Sequence, residues 1–334
     1  MRRIASLAAA LVVIVAACGG DDTSDTVTET TPAPATTTTS TTQAPTTTTT
    51  EPMTDGVTFV GADGAETVIT DTSRIVSLNG DITEILFELG VGDQVVGVDV
   101  TTTYPPEALQ LGPPLPPARG FLTAEPVIAL DPTLVIGDAQ IGPAEVVDQI
   151  RSAGIPVALI ELQTTLEGIR TKIETVAMIV GEEEAGAALA DRVDAEVAEA
   201  TELAATAAEQ PGVAFVYARG PEALLLFGPG SPTSALIAGA NATDTVLGPP
   251  VGPLTPEALA AANPEVFVTT ADALGSLGGP DAFFELPGVA QTTAGENRSL
   301  LVYDDALFLG FGPRTGEALK AFVLDLHPEL ADNS

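Results

Sequence analysis

Short apolar runs alternate with amphipathic helical patterns from Arg74 onward. The runs "RIVSL", "QVVGVDV", "TLVIG" and "PVALIE" read as strands, and the segments "DITEILFELG" and "PAEVVDQIRSAG" read as helices among them. This alternation predicts a parallel sheet with helices on its faces. Upstream, apolar and polar residues alternate in "GVTFVGADGAETVIT" on both sides of Asp63-Gly64, as is typical of a hairpin. The first helix is expected to open with Asp81 and a capping glutamate, Glu84, three residues on.

The same alternation of strand and helix patterns resumes after Pro211. Strand patterns "GVAFVY", "ALLLF", "EVFVT" and "SLLVY" are accompanied by helix patterns "TSALIAGA", "PEALAAAN" and "TGEALKAFVLDL". Between the two series lies a helical region rich in Ala and Glu, from Leu166 to about Glu209. We therefore predict an α/β fold of two lobes, each with a mainly parallel central sheet flanked by helices, joined by one long interlobe helix. The expected bounds are 57–165 for the first lobe, 166–210 for the helical region and 211–334 for the second lobe.

One short stretch occurs once in each lobe. "LTAEPVIALDPTLVI" begins at Leu122 and "LTPEALAAANPEVFV" at Leu254. Each predicts a short helix with threonine at its N-cap and glutamate in its first turn, followed by a strand. These preferences explain each residue alone, but not why Glu125 and Glu257 take matching places in the two lobes. One surface carboxylate per lobe suits a two-subunit partner that bears arginines; the alternative is a pair of solvated first-turn carboxylates.

The N-terminus is typical of a processing signal. Residues 1–17 combine a basic start with an apolar run too short for a permanent membrane span, and small residues lead into Cys18, the only cysteine. This pattern resembles a bacterial lipoprotein signal in which Cys18 is lipidated; the alternative is an ordinary secretory signal cut nearby. The Thr- and Pro-rich residues that follow, to about 56, predict a disordered tether. We expect the folded part to lie outside the cytoplasm, anchored by lipid on the outer face of the cytoplasmic membrane.

Charge and composition narrow the class of protein. The formal net charge of −34 argues against nucleic acid and against direct binding to anionic lipid, so that membrane contact is expected only through the lipid anchor. With one histidine and one cysteine, the chain offers no Ser/His/Asp set and no Cys/His metal spacing. We therefore expect no enzyme activity and no catalytic cofactor, and any anionic ligand needs its own local arginines.

Three stretches carry a resemblance to a known family: "RIVSLNGDITEILFELGVGDQVVGVDVTTTYP", "LTAEPVIALDPTLVI" and "FLGFGPRTGEAL". Together they resemble the substrate-binding lipoproteins of iron-chelate ABC importers, especially their haem-binding branch of the actinobacterial kind, and the resemblance runs from Arg74 to His327. It implies a monomer that takes ferric haem, free or from a haem-donating protein, into the cleft between the lobes. It further implies delivery to a permease dimer with its ATPase, with Glu125 and Glu257 docking on permease arginines.

A ferric-siderophore or cobalamin receptor of the same fold is the alternative. Siderophore clefts of this family commonly use several arginines and tryptophans. This chain has no Trp and only 12 Lys plus Arg. Composition therefore favours a flat apolar ligand such as haem.

Tyrosine is the expected axial ligand of the haem iron. Ferric haem is held by His, Cys, Met or Tyr. His327 is expected at the surface at the end of the last helix, and Cys18 is assigned to lipid. Tyr104 and Tyr217 match family segments that supply ligands, one from each lobe, whereas Tyr303 is expected to be a core residue at a strand end. Coordination by one or by both tyrosines remains open, and a packed aromatic side chain is the alternative for each.

The rest of the cleft is predicted from sheet geometry. In open parallel sheets, ligands bind beyond the carboxyl ends of the strands. Asn79 follows such an end in the first lobe, and Ser231 follows one in the second, in a glycine-rich loop that enters a helix. Arg119 and Arg219 are candidates for the haem propionates, because guanidinium binds carboxylate through two parallel hydrogen bonds; ion pairs with neighbours are the alternative. No histidine precedes "LTAE", where some relatives have one, so mixed His/Tyr ligation is not expected.

Overall fold

The computed structural model describes residues 56–333, which belong to one compact unit. The predicted signal peptide, Cys18 and nearly all of the predicted tether lie outside the described residues. Within them, no helix has both the length and the apolar character needed to cross a membrane.

Strands occur in three sheets. They are β1 (Val57–Val60), β2 (Glu66–Ile69), β3 (Ile75–Ser77), β4 (Val95–Val98), β5 (Leu134–Asp138), β6 (Val157–Ile160), β7 (Gly212–Ala218), β8 (Leu224–Phe227), β9 (Thr243–Asp244), β10 (Val251–Pro253), β11 (Val266–Thr270) and β12 (Leu300–Tyr303).

Helices connect most of the strands. They are α1 (Gly80–Glu88), α2 (Ala118–Phe121), α3 (Ala124–Ile128), α4 (Ala144–Ser152), α5 (Gly168–Val180), α6 (Glu183–Ala204), α7 (Pro232–Gly239), α8 (Pro256–Ala262), α9 (Ala271–Leu277), α10 (Pro280–Phe284), α11 (Thr293–Asn297), α12 (Asp305–Leu309) and α13 (Thr315–Leu326).

The first lobe has a four-stranded parallel sheet in the order β4-β3-β5-β6. Its strands alternate between two apolar clusters: Ile75 packs with α1 and α5, whereas the next residue, Val76, packs with α3 and α4. Both faces are therefore covered, which is why these strands read as continuous apolar runs. The hairpin predicted around Asp63-Gly64 is present as antiparallel β1 and β2.

The second lobe has a sheet in the order β10-β8-β7-β11-β12, with β9 also paired to β7. The strands β7, β9, β11 and β12 run parallel to one another, whereas β8 is antiparallel to β7 and to β10. Only residues 219–223 connect β7 to β8, too few for the crossover that a parallel pair requires. The sheet is mainly parallel, as predicted, with an antiparallel edge that the apolar pattern did not reveal.

Two helices rather than one occupy the predicted helical region. Gly181 adopts a left-handed conformation (φ 78°) and ends α5, which packs on α1 and β1; α6 then packs against α5 and against α13 of the second lobe. The 22 residues of α6 span about 33 Å. A Cβ at Gly186 would come within 2.2 Å of the Ala177 Cβ, so glycine permits the close packing of α5 on α6. The predicted interlobe helix is thus α6 alone.

The stretch that occurs in both lobes has the same backbone path in each. Thr123 and Thr255 occupy the N-caps of α3 and α8, although only Thr255 accepts a hydrogen bond through its side chain, from the Ala258 N–H at 3.1 Å. Asp131 (φ 49°) and Asn263 (φ 36°) follow these helices in left-handed conformations, each before a proline. The match therefore extends beyond the glutamates to the way each helix ends.

The predicted capping box of α1 is wrong. Asn79 is the N-cap and makes no side-chain capping bond, and Asp81 lies in the first turn. Tertiary partners bind the two carboxylates instead: Asp81 accepts a hydrogen bond from Lys172 at 2.5 Å, and Glu84 accepts two from Arg314. A buried cation is a stronger partner for a carboxylate than a backbone N–H of its own helix.

Lys172 is a buried cation between the lobes. Its side chain is 4% exposed, and Nζ donates to Asp81 on α1 at 2.5 Å and to the Gly310 carbonyl, directly after α12, at 2.8 Å. One ammonium group on α5 therefore holds a helix of the first lobe and a loop of the second.

Asp99 fixes the loop that leaves β4. One carboxylate oxygen accepts from Thr101 N–H (3.1 Å) and Thr101 Oγ1 (2.5 Å), and the other accepts from Ala118 N–H at 3.2 Å. The two ends of the segment 99–118, which contains Tyr104, are thereby tied to one buried side chain. Desolvation by burial raises the pKa of Asp99 to about 6 in spite of these bonds.

Replacing Lys172 with Met is expected to destabilise the protein by about 3–5 kcal/mol, because the nearly buried Asp81 carboxylate is left without a cation. The free energy of unfolding, measured in urea, tests this. Lys320→Met is the control: Lys320 pairs with Glu199 at the surface, with 40% of its side chain exposed. Its loss should change stability little. Equal effects of the two substitutions would contradict the role given to Lys172.

The Asp99 carboxyl group is expected to make stability fall as pH rises. Its pKa is higher in the folded chain than in the unfolded one, so its contribution is complete below about pH 3.8 and is lost as pH rises through about 6. Between pH 4 and 7.5, the unfolding free energy of the wild type should decrease by up to about 3 kcal/mol relative to that of Asp99→Asn. One pKa unit corresponds to roughly 1.4 kcal/mol. A difference that does not vary with pH would show that this carboxyl group is not perturbed.

Candidate functional site

A polar cluster occupies the carboxyl edge of the first sheet, where β3 and β5 end side by side. Asn79 donates to the Asp138 carboxylate at 3.0 Å and accepts from the Asp138 N–H at 2.8 Å, and Arg119 forms an ion pair with the same carboxylate. Asn79 is 5% exposed and uses both ends of its amide, so it orients Asp138. Arg119 keeps half of its side chain exposed and is the member of the cluster that can reach a ligand.

Ser231 lies away from the corresponding edge of the second sheet. Because β8 is antiparallel, it runs toward the start of β7 and ends at Phe227, beside Phe215 in the middle of β7. The carboxyl ends of β7, β11 and β12 lie together in the opposite direction. Ser231 is 2% exposed and caps α7, where its Oγ accepts from the Ser234 N–H at 3.2 Å. The structure therefore gives Ser231 a helix-capping role.

Each of the three tyrosines has a different electrostatic partner. The Tyr303 hydroxyl donates to the Asp325 carboxylate at 2.6 Å, and the ring stacks on Phe308 with 4.7 Å between centroids. Burial, and then the adjacent carboxylate, raise the pKa of Tyr303, so its hydroxyl stays protonated. This agrees with the expectation that Tyr303 is a packed residue at a strand end.

Tyr217, at the end of β7, is paired with an arginine. The Arg219 Nε–H donates to the Tyr217 oxygen at 2.8 Å, and the Arg219 Cζ lies 5.8 Å from the ring centroid. The ring of Tyr217 also packs against Phe227, 5.7 Å between centroids, on the side of β7 that faces the central helices. The guanidinium N–H is a charge-assisted donor to the phenol oxygen.

Tyr104 is also paired with an arginine, but one from the other lobe. Arg314, which precedes α13, lies over the Tyr104 ring with Cζ 4.0 Å from the centroid. The same guanidinium binds Glu84 of α1 through Nε at 2.8 Å and Nη2 at 3.2 Å. Tyr104 is 37% exposed. Its ring is thus fixed from one side while part of it faces solvent.

The contacts of Arg314 and Glu84 were not predicted from the sequence. Two signals were present. Arg314 is a cation at the N-terminus of a helix, where the helix dipole disfavours positive charge and some other partner is needed. Glu84 shares one side of α1 with Asp81 and Glu88, three residues before it and four after it, so repulsion among these carboxylates favours a nearby cation. Neither signal names the partner, because the two residues are 230 positions apart.

Glu125 and Glu257 lie where the two similar stretches place them. Both are exposed and lie in the first turns of α3 and α8. In the part of the chain that the structure describes, neither carboxylate has a side-chain partner. Such side chains are available to an external cation.

His327 differs from the sequence-based expectation. It does follow the last turn of α13, but it is 1% exposed rather than at the surface, and its Nε2 lies 2.9 Å from the Ala240 carbonyl. The ring is held in the core of the second lobe by this hydrogen bond. It is not placed to bind a ligand.

Comparison with known proteins agrees with this architecture. The structure of the periplasmic haem-binding protein RhuT from Roseiflexus sp. RS-1, in apo form, is 40% identical; the match covers 78% of this chain and 100% of that one, with a TM-score of 0.74. The structure of the haem-binding protein HmuT is 36% identical, over 85% of this chain and 94% of that one, with a TM-score of 0.76.

A curated relative matches over a shorter length. The cobalamin-binding protein of Halobacterium salinarum is 34% identical over 140 residues, so that the match covers 40% of this chain but only 38% of the relative. The family model for periplasmic binding proteins matches residues 75–307, which include the central sheets of both lobes and the helices between them. On this match and the two-lobed fold, the chain belongs to the periplasmic binding protein family.

Proposed function

We propose that this chain is an extracytoplasmic haem-binding protein that captures ferric haem between its lobes and delivers it to an ABC importer. The observation that carries the proposal is the pairing of the tyrosines: one from each lobe contacts an arginine, and the third is bound to a carboxylate. RhuT and HmuT, which their descriptions identify as haem-binding, support the choice of ligand.

The two tyrosines with arginine partners are the proposed axial ligands. Phenolate oxygen is a hard ligand that suits ferric iron, and an adjacent cation offsets the charge it carries. Tyr104 supplies this oxygen from the first lobe and Tyr217 from the second. Tyr303 is not a candidate, since its hydroxyl proton is committed to Asp325.

Arg119 and Arg219 are the proposed partners of the haem propionates. The ion pair of Arg119 with Asp138 uses Nη2, and the hydrogen bond of Arg219 to Tyr217 uses Nε. Each guanidinium keeps further N–H groups for a carboxylate. In a chain with a net charge of −34, these cations offset the repulsion that a dianionic ligand meets.

Cobalamin is the alternative ligand, favoured by the relative from Halobacterium salinarum. That match covers less than half of either protein, whereas RhuT is matched over its whole length at higher identity. The lipid anchor at Cys18, the lobe bounds 57–165 and 211–334, and the permease with its ATPase as partner belong to the same proposal. They rest on the sequence pattern and on the paired positions of Glu125 and Glu257.

Hemin added to the purified chain is expected to give a Soret band with tyrosinate-to-iron charge-transfer absorption. The double substitution Tyr104→Phe/Tyr217→Phe should abolish the charge-transfer band, and the single substitutions should show which oxygen coordinates. Tyr303→Phe is the matched control and should leave the spectrum unchanged, because it removes a hydroxyl bound to Asp325. A wild-type chain that ignores hemin but binds cobalamin or a ferric siderophore tightly would reverse the assignment.

Substituting Glu125 and Glu257 with Gln is expected to abolish haem uptake by cells while leaving hemin affinity intact. The reason is that these exposed carboxylates have no side-chain partner in the described part of the fold and are proposed to pair with arginines of the permease. Growth on haem as the iron source tests uptake, and hemin titration of the purified variant tests affinity. Glu145→Gln, in the first turn of α4, is the control. Uptake that persists in the double variant would remove the docking role.

A further inference from the structure

Arg314 holds a position that neither the fold nor the proposed iron ligands explain. It belongs to the second lobe, yet both of its side-chain partners, Glu84 and Tyr104, belong to the first. The side chains of Arg314 and Glu84 are only 21% and 5% exposed. A buried ion pair of this kind contributes little net stability over an apolar pair, so its presence calls for another reason.

The geometry of the ion pair fixes the plane of the guanidinium. Two parallel N–H···O bonds to Glu84 leave it no rotational freedom. A flat cation held in this way is a rigid support for an aromatic ring, and the Tyr104 ring lies on it with 4.0 Å between Cζ and the centroid. The contact is with the face of the ring, so Arg314 does not approach the phenol oxygen along its lone pairs.

The two arginine–tyrosine pairs of this chain therefore differ in kind. Arg219 donates a hydrogen bond to the Tyr217 oxygen and occupies one of its lone pairs. In the described residues, the Tyr104 oxygen accepts and donates no hydrogen bond, and the Arg314 guanidinium lies over the ring rather than at the oxygen. All the lone pairs of Tyr104 are available to a metal.

We propose that Arg314 is a positioning residue for Tyr104, which it orients toward the cleft and whose phenolate charge it balances when ferric haem binds. This inference rests on the proposed haem function. When the bond between Tyr104 Oη and ferric iron forms, the hydroxyl proton passes to water and the ring gains electron density. A cation on the ring face stabilises that density without competing for the oxygen. Glu84 acts through Arg314 by holding its plane.

The test uses the mature chain, residues 18–334, with Cys18→Ser throughout so that it remains soluble. Arg314→Lys keeps a positive charge that can pair with Glu84 but lacks the flat group that supports the ring. The pH at which the tyrosinate charge-transfer band of bound hemin is half lost should rise by about one unit, and hemin affinity should fall roughly tenfold. In a Tyr104→Phe background, Arg314→Lys should cause no further change in affinity.

Two further variants separate this role from a structural one. Arg192→Lys alters a surface arginine that also pairs with α1, at Glu88, and it should leave both readouts unchanged. The neutral pair Glu84→Gln/Arg314→Gln removes the charges while keeping an amide–amide contact, and it covers the case in which Arg314→Lys fails to fold. The neutral pair should show the same rise in the transition pH.

The outcomes are distinct for the two proposals. If wild type binds hemin through Tyr104 but the Arg314 variants keep its transition pH, the role of Arg314 is overturned and the haem function stands. The role is also overturned if Arg314→Lys weakens binding equally with and without Tyr104, since Arg314 then acts by another route. If wild type does not bind hemin at all, both proposals are overturned.

Discussion

A single apolar cluster runs through both lobes and the helices between them, and the rest of the structure depends on it. It includes Ile75 of the first sheet, Val193 of α6 and Phe215 of the second sheet. Because burial of this surface is what holds the lobes together, their carboxyl edges are kept in fixed relation. The side chains at those edges can then be polar and partly exposed without loss of the fold.

Buried ion pairs fix orientations of loops and rings that packing in the apolar cluster does not determine. Lys172 and Arg314 each connect the two lobes through carboxylates on α1, Asp81 and Glu84. Apolar packing is non-directional, whereas such pairs have defined distances and angles. They fix the orientation of the loop at Gly310 and of the Tyr104 ring more closely than packing alone can.

The partners of the tyrosines show how one acidic chain gives the same side chain opposite electrostatic surroundings. Tyr303 faces a carboxylate and is held protonated, whereas Tyr104 and Tyr217 face arginines. The distinction depends only on the sign of the nearest charge. It separates three chemically identical side chains into one packing residue and two candidate ligands.

Local pattern was enough to predict the two α/β lobes, because apolar periodicity is set by residues close together in the chain. It also predicted the helix starts at Thr123 and Thr255, the exposed positions of Glu125 and Glu257, and the packed state of Tyr303. For Tyr104 and Tyr217, the sequence provided candidates but no partner for Tyr104.

Only the tertiary structure decided the features that depend on distant partners. The Asp81 carboxylate pairs with Lys172 instead of forming the predicted capping box. Strand β8 is antiparallel, so Ser231 does not lie at the carboxyl edge of the second sheet, where it was predicted. His327 is buried rather than at the surface. Arg314 and Glu84, 230 positions apart, meet because packing brings the lobes together. The chain by itself determined which segments form helices and strands, since that depends on neighbours in sequence. The pairing of charged side chains was decided by the tertiary structure, because electrostatic interaction depends on distance in space.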